Sequence, residues 1–305
     1  MLFVFKPFTK YFSLVLLVVC FIKANAQSNS LFAADGQKTM SQLWELDSVN
    51  KQGTFIISPY KPVYILPARW SSNPNGQPRS GNSDPNYEVD ENKDMNNFEA
   101  KFQLSFKVKI IEGVLGNADL WCAYTQKAHW QIYNETLSRP FREINYEPEV
   151  ILNFPTDYNL FGFSGEMAGI AFNHQSNGRD YPLSRSWNRI IVHAGFERPN
   201  WQVYLRAWYR LPDDQDDNPD IIKYVGSGDA TIIYHKEKDI LTLVLAPSFD
   251  FSDGIKGSAD FTWARTIKGN LKGHLQITCG YGETLIDYNN FQTTIGLGVS
   301  LIEWL

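Results

Sequence analysis

From Phe98 to Ile110 the chain alternates strictly. Phe98, Ala100, Phe102, Leu104, Phe106, Val108 and Ile110 fall on one face of an extended segment, and Glu99, Lys101, Gln103, Ser105, Lys107 and Lys109 fall on the other. A strand with one wholly apolar face suits a membrane barrel with lipid outside and water inside. It also suits a half-buried strand of a soluble sandwich, so the rest of the chain must discriminate.

The pattern recurs at 118–130, 142–154, 201–211 and close to the C-terminus. Its second face decides between the two. Beside Glu, Lys, Arg and Gln it carries large aromatics, such as Trp121, Tyr204 and Trp208. A polar face meeting bulk water rarely needs such rings, whereas the interior of a narrow barrel is packed with charged and aromatic groups. Trp130, Trp201 and Trp304 stand at strand ends, where interfacial girdles lie.

The links support closure. A first strand is expected over Thr54–Pro67, broken by prolines 59, 62 and 67, followed by a long polar loop to Asn97. After it, short links near 112–117, 155–157, 197–200, 235–238 and 268–270 alternate with longer ones near 134–140, 177–186, 212–220, 250–256 and 282–290. Alternating turns and loops of this kind, with about twelve strands, make the expected fold an all-β transmembrane antiparallel barrel.

Ahead of this domain, assigned to 53–305, the first 26 residues read as a cleaved signal peptide. Lys6 and Lys10 form a basic start, Phe12–Ile22 an apolar run too short to span a bilayer, and Ala24-Asn25-Ala26 a cleavage site. Residues 27–52 then form an N-terminal periplasmic segment with a short amphipathic turn near Ser41–Leu46. Cleavage removes three lysines and no acid, taking the formal charge from −5 to −8. Such an acidic chain is not expected to bind nucleic acid. Cys122 and Cys279 sit at apolar-face positions of separate strands and read as two separate thiols.

The chemistry concentrates in 173–188, NHQSNGRDYPLSRSWN. His174 and Ser176 are two apart and share a strand face, which continues backward through Phe172, Ile170 and Ala168. On the returning strand Asn188 shares a face with Ile190, Val192 and Ala194. A His-x-Ser triplet alone carries little, but three polar groups on an apolar, lipid-facing wall are costly to keep. Together they supply a nucleophile, a base and a group that orients the base, as acyl transfer requires. Histidine is the side chain that titrates near neutrality. A neutral Asn can hold it without placing an anion beside lipid. Gly178 can offer an unobstructed backbone N–H to an oxyanion.

These residues resemble the active-site signature of the bacterial outer membrane phospholipase A (OMPLA) family. Further similar runs are YTQK (124–127), RPFREINYEPE (139–149), DDNPDI (216–221) and YGETLIDYN (281–289), so the resemblance spans Phe98 to the C-terminus. It implies a twelve-stranded barrel of the outer membrane with its site toward the outer leaflet. It also implies hydrolysis of sn-1 and sn-2 acyl esters of phospholipids and lysophospholipids, by Ser176, His174 and Asn188 with the Gly178 amide. The family requires calcium and is active as a homodimer. Ser138 matches a backbone-carbonyl ligand from one subunit, and Arg179 (carbonyl) and Ser184 (hydroxyl) match ligands from the other, an oxygen set suited to that cation. Gln126, on the apolar face, matches a dimer contact. Two departures stand out: Arg139 beside Ser138, which bears on calcium affinity, and the terminal Leu305, where barrels usually end in an aromatic. The competing expectations are a non-catalytic barrel, serving as a pore or structural protein, and a soluble periplasmic sandwich.

Overall fold

The computed structural model describes residues 38–250 and 254–304. The expected signal segment, the first part of the expected 27–52 segment and Leu305 lie outside them. Twelve antiparallel staves close into a barrel, β3 (Phe98–Val114) pairing with β2 (Val63–Ser71) on one side and β4 (Ala118–Trp130) on the other. The ring continues through β5 (Phe141–Leu160), β6 (Phe163–Ser176), β7 (Ser186–Arg198), β8 (Trp201–Arg210), β9 (Gly228–Lys236) and β10 (Asp239–Ser248). It returns through β11 (Lys256–Lys268), β12 (Leu271–Gly280) and β13 (Gln292–Ile302) to β2.

A short β1 (Ile57–Pro59) also pairs with β3, further along, so β1 and β2 form one stave. Pro59 and Pro62 explain the gap, because proline cannot donate to a ladder. The expected strand over Thr54–Pro67 is thus split, and its second part runs on to Ser71. Another expectation fails at Pro155-Thr156-Asp157. These residues do not turn: β5 passes through them with a register shift between Pro155 and Tyr158 and ends at Leu160, before a turn at Phe161-Gly162. Pro155 still stands opposite Met167, and a β-bulge at Thr156-Asp157 lets the long strand continue. The loop after β8 carries a short α2 (Ile221–Val225) that alternation could not reveal.

The two faces sort as the alternation requires. Phe98, Leu104, Phe106, Val150, Ile170, Phe172 and Val192 stand on the outer wall, exposed to what lies outside. Glu99, Lys101, Gln103, Ser105, Lys107 and Lys109 are all buried within. Inside, many of the charges are paired. Glu99 meets Arg69 at 2.6 Å, Arg142 at 2.9 Å and His129 at 2.9 Å, and Lys61 bridges Glu147 and Glu149 at 3.1 Å each. Removing one partner of such a pair strands a buried charge and costs about 3–5 kcal/mol. Cys122 and Cys279 are free and exposed.

At the short-turn end, α1 (Met40–Trp44) enters the barrel. Thr39 and Gln42 form its capping box, and Glu45, in the left-handed region (φ 54°), ends it. Trp44 packs edge-on to Trp121 (5.7 Å) and Tyr60 (5.9 Å), under the Lys107 ammonium at 4.4 Å. Glu45 pairs with Lys109 at 2.6 Å, and the Met40 amide donates to Glu197 at 2.6 Å. Trp304 does not join an interfacial girdle. It turns inward against Tyr204, 6.3 Å between rings.

Candidate active site

β6 and β7 pair in register, so His174 stands directly opposite Asn188, and Ser176 opposite Ser186. His174 Nδ1 is 2.8 Å from Asn188 Oδ1. With the amide oxygen as acceptor, the proton sits on Nδ1 and the Nε2 lone pair is free to accept. Ser176 occupies the last position of β6, on the same outer face, and pairs on its other side with Tyr146 of β5. Its hydroxyl makes no hydrogen bond to His174 among the described residues, as is common where a catalytic contact tightens only around substrate. All three side chains are half-buried. Gly178 follows at φ 62°, and a Cβ there would come within 3.2 Å of the Tyr146 ring. A backbone in this region favours glycine.

The loop between β6 and β7 is drawn tight by Asn177, whose side chain donates to Leu183 O (2.8 Å) and accepts from the Arg185 amide (3.0 Å). The Arg179 side chain reaches back to the carbonyl of Phe141 at 3.0 Å and sits 3.5 Å from Glu143. Its own carbonyl accepts no hydrogen bond among the described residues, nor does that of Ser138, which lies exposed in the β4–β5 loop at φ 59°. The Ser184 hydroxyl donates to Asp217 at 2.9 Å. A hydroxyl that gives its proton to a carboxylate keeps its lone pairs for a cation. Two free carbonyls and such a hydroxyl therefore fit a hard, oxygen-seeking ion. Arg179 and Ser184 share one loop; Ser138 belongs to a different one.

Asp217 was not singled out in the sequence. It gathers Ser184 and Ser186 (3.1 Å) from one segment and Tyr87 (2.8 Å) from another. Burial, reinforced by Tyr181 and Asp217, pushes the Tyr87 phenol well above its ordinary value. Burial also lowers the Arg185 guanidinium, which lies over the Tyr87 ring at 6.0 Å. The acid-rich DDNPDI run was the available signal, but nothing in its spacing says which of its acids turns toward Ser184. Gln126 sits on the outer face of β4, opposite Tyr146, and accepts from the Tyr124 hydroxyl at 3.1 Å.

Fold and site together define a closed antiparallel β-barrel that carries a serine, a histidine and an asparagine side by side on its outer wall instead of in its lumen. Comparison with known proteins narrows this. The sequence profile of phospholipase A1 matches residues 40–301. Phospholipase A1 of Escherichia coli K12 is 42% identical over 204 residues, 67% of this chain and 69% of that one. That of Salmonella typhimurium is 38% identical over 248 residues, 81% and 82% of the two chains. Among solved structures, the Salmonella typhi outer membrane phospholipase dimer with bound calcium superposes with a TM-score of 0.75 at 34% identity, covering 87% of this chain and 99% of that one. The chain belongs to the phospholipase A1 family of outer membrane phospholipases.

Proposed function

We propose that this protein hydrolyses the sn-1 and sn-2 acyl ester bonds of phospholipids and lysophospholipids, with Ser176 as nucleophile, His174 as general base and Asn188 as its orienter. The observation that carries this reading is the 2.8 Å His174–Asn188 bond beside Ser176 on the outer wall. Ser176 Oγ attacks the ester carbonyl as His174 Nε2 takes its proton, and the Gly178 N–H donates to the oxyanion. His174 then protonates the departing glycerol oxygen, leaving an acyl-serine. Water, deprotonated by His174, releases the fatty acid and restores the hydroxyl. The site meets lipid sideways, at the long-loop end, which corresponds to the outer leaflet.

Calcium, when bound, supplies positive charge toward the oxyanion. The Arg179 carbonyl and Ser184 hydroxyl of one subunit would hold it together with the carbonyl of the partner subunit's Ser138. Activity then depends on dimerisation, and the Gln126 amide gains a partner across the two copies. In the precursor, residues 1–26 are a cleaved signal, 27–52 a periplasmic segment and 53–305 the catalytic barrel.

The test is fatty-acid release from phosphatidylcholine micelles by purified protein, with calcium or with chelator. Ser176→Ala should abolish release while keeping heat-modifiable barrel mobility on a gel. Release at the parental rate would overturn the reading in favour of a non-catalytic barrel.

A further inference from the structure

The rim at the short-turn end is unevenly charged. Between β7 and β12 the outward-facing and turn positions carry Arg198, Lys236, Lys238, Arg265 and Lys268, against Glu237 and Asp239. Glu197 and Glu303 at the same level turn inward, to the Met40 amide and to His274. Asp239 is engaged by Arg265 at 2.7 Å and by the Trp263 indole N–H at 2.9 Å. Lys236, Lys238 and Lys268 are exposed and have no ion-pair partner among the described residues. On the other half of the rim, by contrast, Glu112 and Asp119 are paired with Lys51 (2.6 Å) and Lys109 (3.2 Å).

These cations stand where the apolar wall ends. In the strand register Arg198 pairs with Trp201, Trp201 with Tyr234, Lys236 with Asp239 and Asp239 with Arg265. The row is therefore continuous across β7 to β11. Arg198 lies over the Phe163 ring at 4.4 Å and the Trp201 ring at 5.3 Å. Trp263 and Leu271 are exposed on the same outer wall. Rings that bridge hydrocarbon and water, with long cationic side chains at their edge, mark headgroup depth.

We propose that this arc binds the phosphate-bearing headgroups of acidic glycerophospholipids in the leaflet at the short-turn end. Charge selects the partner: free ammonium groups in a row on a greasy wall match a sheet of lipid phosphates. Position excludes a second copy of the chain. β10, at the centre of the arc, is six staves from β4, half-way around the ring of twelve. A dimer formed through the β4 wall thus leaves the arc facing lipid. The proposal does not depend on the catalytic assignment.

Native mass spectrometry of the delipidated full chain decides it, with phosphatidylglycerol and phosphatidylcholine of matched acyl chains as probes. The parent should retain phosphatidylglycerol preferentially. Lys236→Gln/Lys238→Gln/Lys268→Gln should weaken that retention about tenfold and leave phosphatidylcholine and micellar ester hydrolysis unchanged. Arg79→Gln/Lys93→Gln/Lys223→Gln, which removes equal charge from the opposite end, should change neither. Equal retention of the two lipids by the parent, or equal losses in both triple variants, would overturn the proposal. Heat-modifiable mobility confirms that each variant is folded.

Discussion

His174 and Asn188 are cross-strand partners on the outer wall, 14 residues apart in the chain and 2.8 Å apart at their polar atoms. The ladder itself sets the imidazole's tautomer, because the residue opposite the base supplies the acceptor. Asn188→Ala should therefore lower kcat by about 10–100-fold with little change in KM, since the base stays and only its orientation is lost. Asn188→Asp should retain more activity than Asn188→Ala. Equal loss in both would show that the amide oxygen does not hold the ring.

Gly178→Ala should fold and bind lipid but turn over about tenfold more slowly or worse. The φ of 62° disfavours a side chain by about 1–2 kcal/mol, and the new methyl would press on Tyr146. Pre-steady-state kinetics should place the loss in acylation. An unchanged rate would mean that this amide does not donate to the oxyanion.

Asp217→Asn should raise the calcium concentration needed for half-maximal activity and leave kcat at saturating calcium within a few-fold. The carboxylate accepts hydrogen bonds from the Ser184, Ser186 and Tyr87 hydroxyls. An amide there can donate in turn, which disturbs the orientation of the Ser184 lone pairs. A calcium titration of micellar hydrolysis is the measurement.

Acid should destabilise the long-loop end through Glu283. Burial alone would raise this carboxyl, but Arg69 and Lys101 (3.0 Å) hold it well below its ordinary value. A depressed folded pKa means that its stabilisation is fully present above the unfolded carboxylate pKa of about 4.3 and fades as pH falls through the lower folded value. Glu283→Gln should lower stability at pH 7 and flatten the acid limb of a pH series of heat-modifiable mobility. Parallel curves for parent and variant would count against this.

Spin labels at Phe172 and Val192 should report hydrocarbon. Both side chains stand on the outer wall, 44% and 54% exposed, on the strands that carry His174 and Asn188. Accessibility to a water-soluble relaxation agent instead of oxygen would remove the basis for sideways entry of substrate.

Period-two patterning made the staves legible, because each face meets one solvent and one slip would invert every side chain. β4 begins at Ala118 and ends at Trp130, where the alternation placed it, and His174 and Asn188 meet as their parity requires. What stayed hidden depends on contacts between distant segments. Asp217 reaches Tyr87 across 130 residues and Ser184 across 33, and no local pattern encodes either bond. Prolines were an uneven guide: those at 59 and 62 break a stave as expected, whereas β2 runs on through Pro67 and β5 through Pro155. The inward turn of Trp304 follows from packing on Tyr204, which strand parity cannot foresee once the strand has ended.

Trp44, seated among Trp121, Tyr60 and Lys107, fills the lumen at its short-turn end, and the paired charges beyond it fill the rest. A bacterium can thus station many copies of this tube in its envelope without becoming leaky to small solutes. Planar-bilayer recordings should stay silent for the parent.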